Sequence, residues 1–117
     1  MSKLTEDLAF KMFEKYIDAW NNRDTKTLDD MFSMDVFLGD WEVSVQGKGS
    51  VIGANVQIWE NVPDIKIEIR GMAYNEKTEF LYGSLSITSH KESLDLRVVD
   101  VIKFYNNKIV KVDAYKQ

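Results

Sequence analysis

The sequence has no cysteine, one histidine (His90), one proline (Pro63) and no run of basic residues. Without cysteine there is no disulfide, no thiolate metal site and no thiol nucleophile. A single His90 cannot supply a histidine pair for a metal, and a Ser-His-Asp triad would rest wholly on it. No metal ion and no cofactor are therefore expected. The 15 Lys and Arg against 19 Asp and Glu leave a net charge of −4, which disfavours nucleic acid as a partner. No uncharged stretch approaches the ~20 residues of a membrane-spanning helix, so no membrane partner is expected either. The opening MSKLTEDLAF carries acids where a leader peptide needs a basic flank and an apolar run. A cytoplasmic location is the expectation.

What is present is enough for a core. The 117 residues are 44% apolar and 12% aromatic, too hydrophobic for a disordered chain and of a length that fits one domain over 1–117. With thiols excluded and imidazole reduced to one copy, the remaining chemistry is that of carboxylates, tyrosines and hydroxyls, or binding alone.

The hydrophobic pattern changes character once, near residue 60, which is the layout of an α+β domain. From Thr5 to about Asn22, the residues Leu8, Ala9, Met12, Phe13, Tyr16, Ile17 and Trp20 recur at three- and four-residue steps, the stripe of an amphipathic helix. Asn21–Asp24 breaks it, and Asp24 or Thr25 caps a short second helix carrying Leu28, Met31 and Phe32. Asp35 to about Val45 reads as a short strand or extended loop. Gly47 and Gly49 precede a third helix from Ser50 to about Asn61, and Pro63-Asp64 stops it. Four strand patterns follow: the alternation around Ile65, Ile67 and Ile69, then Phe80–Thr88, Leu94–Phe104 and Ile109–Tyr115. Asn106-Asn107 suits a two-residue hairpin turn, because Asn tolerates positive φ. The expectation is three helices followed by a curved antiparallel sheet, with the helices on one face.

Side-chain parity singles out Asp100. Same-face residues of a strand are two apart, so Asp100 shares its face with Leu94, Leu96, Val98, Ile102 and Phe104. Burial there disfavours the charged carboxylate and predicts a pKa well above the ~3.9 of a free Asp. A neutral carboxylic acid donates a hydrogen bond to a developing oxyanion. The alternatives are an Asp paired with an Arg, one capping backbone amides, or one turned outward by a bulge. Tyr16 stands in the helical stripe between Met12 and Trp20, and its buried hydroxyl needs a partner. It is either a core tyrosine or the mate of Asp100. Asp40 follows Val36-Phe37-Leu38-Gly39 and precedes Trp41, a position for a general base at a cavity mouth or for an ordinary turn residue. Trp20, Trp41 and Trp59, with Val98, Ile102 and Val112, are the candidate ligand-lining residues, the alternative for the widely spaced tryptophans being plain core. His90, beside Lys91 and Glu92, reads as exposed. On the other face of Leu94–Phe104, Val99, Val101 and Tyr105 stand among Asp95, Arg97 and Lys103.

These residues and their order resemble the NTF2-like superfamily, the cone-shaped α+β fold of nuclear transport factor 2, SnoaL-type polyketide cyclases and ketosteroid isomerases. The resemblance covers essentially the whole chain. It is carried by Lys15–Trp20, by Asp35–Asp40, by Gly47-Lys48, by Val62–Asp64 and by the terminal hairpin Val99–Tyr115. It implies a cone of three N-terminal helices on a curved, mainly antiparallel sheet. It also implies a small apolar or carbonyl-containing ligand, and a homodimer through the outer sheet face with Val99, Val101, Tyr105 and Tyr115. Ketosteroid isomerases use an Asp base and an oxyanion hole of Tyr and protonated Asp, the type case of a carboxylic acid kept neutral to donate a hydrogen bond. By motif, the base falls on Asp40, the oxyanion tyrosine on Tyr16 and the protonated acid on Asp100. The supporting tyrosines of those enzymes are matched here by Phe32 and Asn55, and the segment from Asp40 to Gly47 is shorter. A non-catalytic module holding an apolar ligand or a protein partner is the alternative.

Overall fold

The structure is a computed structural model and describes residues 3–117. It opens on helix α1 (Glu6–Asn21), whose N-cap Thr5 accepts a 3.3 Å hydrogen bond from the Leu8 amide, with Glu6 and Asp7 in the first turn. The stripe from Ala9 to Trp20 is buried apart from the partly buried Met12, and Leu8 at its start is half exposed. Arg23 takes φ 57° and turns the chain into α2 (Thr25–Met31), capped by the Asp24 carboxylate on the Thr27 amide. Phe32, expected in this helix, instead opens strand β1 (Phe32–Gly39), which is followed by the short β2 (Ser44–Gln46). Helix α3 (Lys48–Asn61) starts two residues earlier than expected, after Gly47 at φ 99°, and contains Gly49. The chain ends in β3 (Lys66–Asn75), β4 (Phe80–Ser89), β5 (Leu94–Tyr105) and β6 (Lys108–Lys116). Asn106 and Asn107 have φ 53° and 62°, the positive pair that a tight hairpin turn requires.

One expectation is corrected, and the mainly antiparallel sheet is given its one parallel pair. The helices are not all N-terminal, because β1 and β2 stand between α2 and α3. The sheet is mixed: its order is β2-β1-β6-β5-β4-β3, and β1 runs parallel to β6 while every other pair is antiparallel. A parallel pair needs a long crossover, and everything from β2 to β5 serves as one. Register shifts in β1, β3 and β6 bend the sheet, and α1 packs on β3 and β4 and α3 on β1 and β2. Among the described residues, no helix is long and apolar enough to cross a membrane.

The seating of α1 is specified twice. At its C-terminal end, Asn21 behaves as an extra strand residue for β3. Its Nδ2 donates to the Ile67 carbonyl and its Oδ1 accepts from the Ile67 amide, both at 2.8 Å. Along its length, Phe13 lies directly on Gly83 of β4. A Cβ there would stand 2.3 Å from Phe13 Cζ. Phe13 is fully buried, so the ring has no open side to move into. Gly83→Ala is expected to destabilise the fold by about 1–3 kcal/mol, the cost of overpacking a filled core. The urea midpoint reports it, and an unchanged midpoint would mean that α1 lifts from the sheet without cost.

Candidate functional site

Asp100 sits mid-way along β5 with Gly83 of β4 and Ala114 of β6 as its cross-strand neighbours. Phe13 fills the space over Gly83, whereas on the Ala114 side Asp100 borders a cavity of about 400 Å³. Tyr16 and Trp20 of α1 line it from above, Asn55 and Ile58 of α3 from the side, and Leu38 and Asp40 from the end of β1. Leu85, Leu96, Val98 and Val112 make an apolar floor. Trp41, Glu42 and Lys116 stand at its mouth, where the Lys116 ammonium lies 5.2 Å from the centre of the Trp41 ring.

The three candidate acids and bases thus meet in one cavity, each held differently. Asp100 is 7% exposed. Burial, with the nearby charge of Asp40, pushes its carboxyl up to about 7. Among the described residues it has no ion-pair partner. Tyr16 is buried as well, and burial together with the charge of Asp100 raises its hydroxyl above the ordinary tyrosine range. It therefore stays protonated and able to donate. Asp40 is half-buried and tied into the turn after β1. Its Oδ1 accepts from the Glu42 amide at 2.7 Å and the Val43 amide at 2.6 Å, while its own amide donates to the Val43 carbonyl. The turn reading of Gly39-Asp40 thus holds, and the same turn fixes the carboxylate against the cavity.

Of the lining residues expected from sequence, Trp20, Trp41, Val98 and Val112 border the cavity. Trp59 and Ile102 do not. Trp59 stands behind Trp20, with ring centres 5.5 Å apart, beneath the Arg23 guanidinium. Ile102 has no exposure at all and belongs to the closed part of the core. Asn55, noted in the sequence only as a departure from a family pattern, is a cavity residue. The signal for it was one polar side chain on the buried stripe Val51, Asn55, Trp59 of α3. Lys116 and Glu42 carried no signal, because exposed charges near a strand end are ordinary surface.

A helix-lined cone on a curved mixed sheet, with a polar cluster inside, defines the class. The sequence profile of the SnoaL-like domain matches residues 13–112, and the chain belongs to that family. No curated protein matches the sequence significantly. Among solved structures, it is similar to a candidate SnoaL-like polyketide cyclase from Jannaschia sp. CCS1 (TM-score 0.84, 9% identity, covering 100% of this chain and 92% of that one). It is also similar to the protein Bal32a from a soil-derived mobile gene cassette (0.86, 14%, 94% and 89%). A third is a candidate ketosteroid isomerase from Kribbella flavida DSM 17836 (0.80, 14%, 95% and 78%). At such identities these likenesses establish the fold and leave the reaction to be argued from the site.

Proposed function

We propose that this protein is a small-molecule enzyme of the ketosteroid isomerase or polyketide cyclase type. Asp40 takes a proton from the carbon next to a carbonyl group, and the carbonyl oxygen becomes an enolate. Tyr16 and Asp100 each donate a hydrogen bond to that oxygen as its charge develops. An isomerase then returns the proton to another carbon, whereas a cyclase lets the enolate carbon attack an electrophile. The first step is common to both.

The observation that carries this reading is that a carboxylate, a phenol and a carboxyl group held near neutrality, from three separate elements, line one apolar cavity. The cavity supplies what each partner needs. Low polarity strengthens the hydrogen bonds to the oxyanion, and apolar walls suit a carbon skeleton. A first test is exchange of the protons next to the carbonyl of a cyclic ketone such as 2-tetralone, followed by NMR in D₂O. Exchange faster than in buffer is expected, and a rate equal to buffer would sink the proposal.

The outer sheet face supports a further part of the proposal, a homodimer. Tyr82, Tyr105 and Tyr115 are about half exposed there, and Val99 and Val101 lie between them. Arg97, Lys103 and Lys111 alternate with Asp95 and Asp113, a two-sign pattern that complements itself across a two-fold axis. Sedimentation at micromolar concentration is expected to give twice the chain mass, and Val101→Glu to halve it. A native chain that sediments as a monomer at every concentration would contradict this part.

A further inference from the structure

Asn55 is 3% exposed and lines the cavity. Its amide is fixed one way round. An indole N–H only donates, so the atom 3.0 Å from Trp20 Nε1 is Oδ1. The two donors of Nδ2 are thereby turned to the other side, where they meet no acceptor among the described residues. Leaving a buried donor unsatisfied costs about 1–3 kcal/mol, and such groups in a native fold call for a partner from outside it. Trp59 Nε1 is also buried without a partner, but Trp59 does not border the cavity. Trp20 follows Tyr16 by one turn of α1, ~6 Å along the helix. Asn55 is thus tied through Oδ1 to the turn of α1 that follows Tyr16. The Asp40 carboxylate borders the same space and disfavours a ligand that enters already carrying a negative charge.

We infer that Asn55 donates to a second oxygen of the ligand, so that the substrate is a neutral carbonyl compound bearing a further ketone, hydroxyl or ether oxygen. This rests on the enolising reading of the cavity, which assigns the first oxygen to Tyr16 and Asp100. Asn55 is then a specificity residue. A ligand without the second oxygen leaves its amide unpaired, which discriminates more sharply than a missing methylene does.

Isothermal calorimetry with two hydroxyarenes separates the claims. 2-Naphthol mimics the enolate alone, and 6-methoxy-2-naphthol adds one neutral acceptor at the far end. The native chain is expected to bind the methoxy compound about tenfold more tightly, as one well-made hydrogen bond implies. In Asn55→Leu the two affinities are expected to converge. Should that variant fail to fold, the native chain still decides. The side-chain amide resonances of Asn55 are expected to move downfield with the methoxy compound and to stay in place with 2-naphthol. Equal affinities and unmoved Asn55 resonances would overturn the inference while leaving the cavity reading standing. Failure of both compounds to bind would overturn the cavity reading and this inference with it.

Discussion

Asp40→Asn is expected to slow proton exchange on a bound ketone by about two to four orders of magnitude, the range a positioned general base supplies. The amide is nearly the same size as the carboxylate, and its Oδ1 can still accept from the Glu42 and Val43 amides. The turn, the cavity and ligand affinity are therefore expected to survive. What is lost is the ability to take a proton. A drop in rate with little change in KM is the signature of a group that acts in the transition state. Equal rates in Asp40→Asn and the native chain would remove the base from the mechanism, and with it the reason for a second acid in the cavity.

Asp100 is expected to govern the alkaline side of the activity. Its carboxyl is held up to about 7 by burial and by Asp40. Below that pH it is neutral and donates. Above it, the proton is gone and a negative charge faces the enolate. The exchange rate of the native chain is thus expected to fall about tenfold per pH unit above pH 7. Asp100→Asn keeps an N–H donor that does not ionise, so its rate is expected to stay level over the same range. Asp100→Leu removes the donor altogether, at a cost of about 10²–10³ in rate. A native profile flat from pH 6 to 9 would contradict the assignment.

The same titration appears in stability. Between the ordinary Asp value of 3.8 and about 7, the folded chain holds a proton that the unfolded chain has released. Stability therefore declines as pH rises through that window, by about 4 kcal/mol in total, and the loss is complete above pH 7. Asp24 and Asp64 act in the opposite sense. Hydrogen bonds from Thr27 and Ser89 hold them below their ordinary value, so their contribution is already in place above about pH 4. Asp24 is exposed and Asp64 only half-buried, so both weigh little. The urea midpoint of the native chain is expected to drop between pH 5 and 8, and that of Asp100→Asn to change little.

Local signals carried the reading of this chain as far as local physics reaches. The stripe of α1, the alternation of β5 and the Asn106-Asn107 turn are short-range patterns, and each appears in the fold at its expected place. Parity alone put Asp100 on the inner face. The parallel pairing of β1 with β6 joins segments more than 70 residues apart and leaves no local trace, so the expectation of a mainly antiparallel sheet did not say which pair runs parallel. Parity also gives the face of a residue and not its depth. Ile102 shares the face of Asp100, but its neighbours Leu81 and Val112 close over it, whereas the small Ala114 beside Asp100 borders the cavity. Trp59 was a candidate for the cavity or for plain core, and it is core: Trp20 takes that wall and Trp59 backs it. Which way Asn55 presents its amide depends on an indole 35 positions away, a contact that only the fold creates.

The central claim is that Tyr16 and Asp100 hold one oxygen while Asp40 addresses the carbon beside it. A crystal structure with 2-naphthol tests it most directly. The hydroxyl oxygen is expected within hydrogen-bond distance of both Tyr16 Oη and the Asp100 carboxyl, about 2.5–3.0 Å, with the Asp40 carboxylate against the adjacent ring carbon. A hydroxyl oriented to the mouth, touching neither Tyr16 nor Asp100, would contradict it.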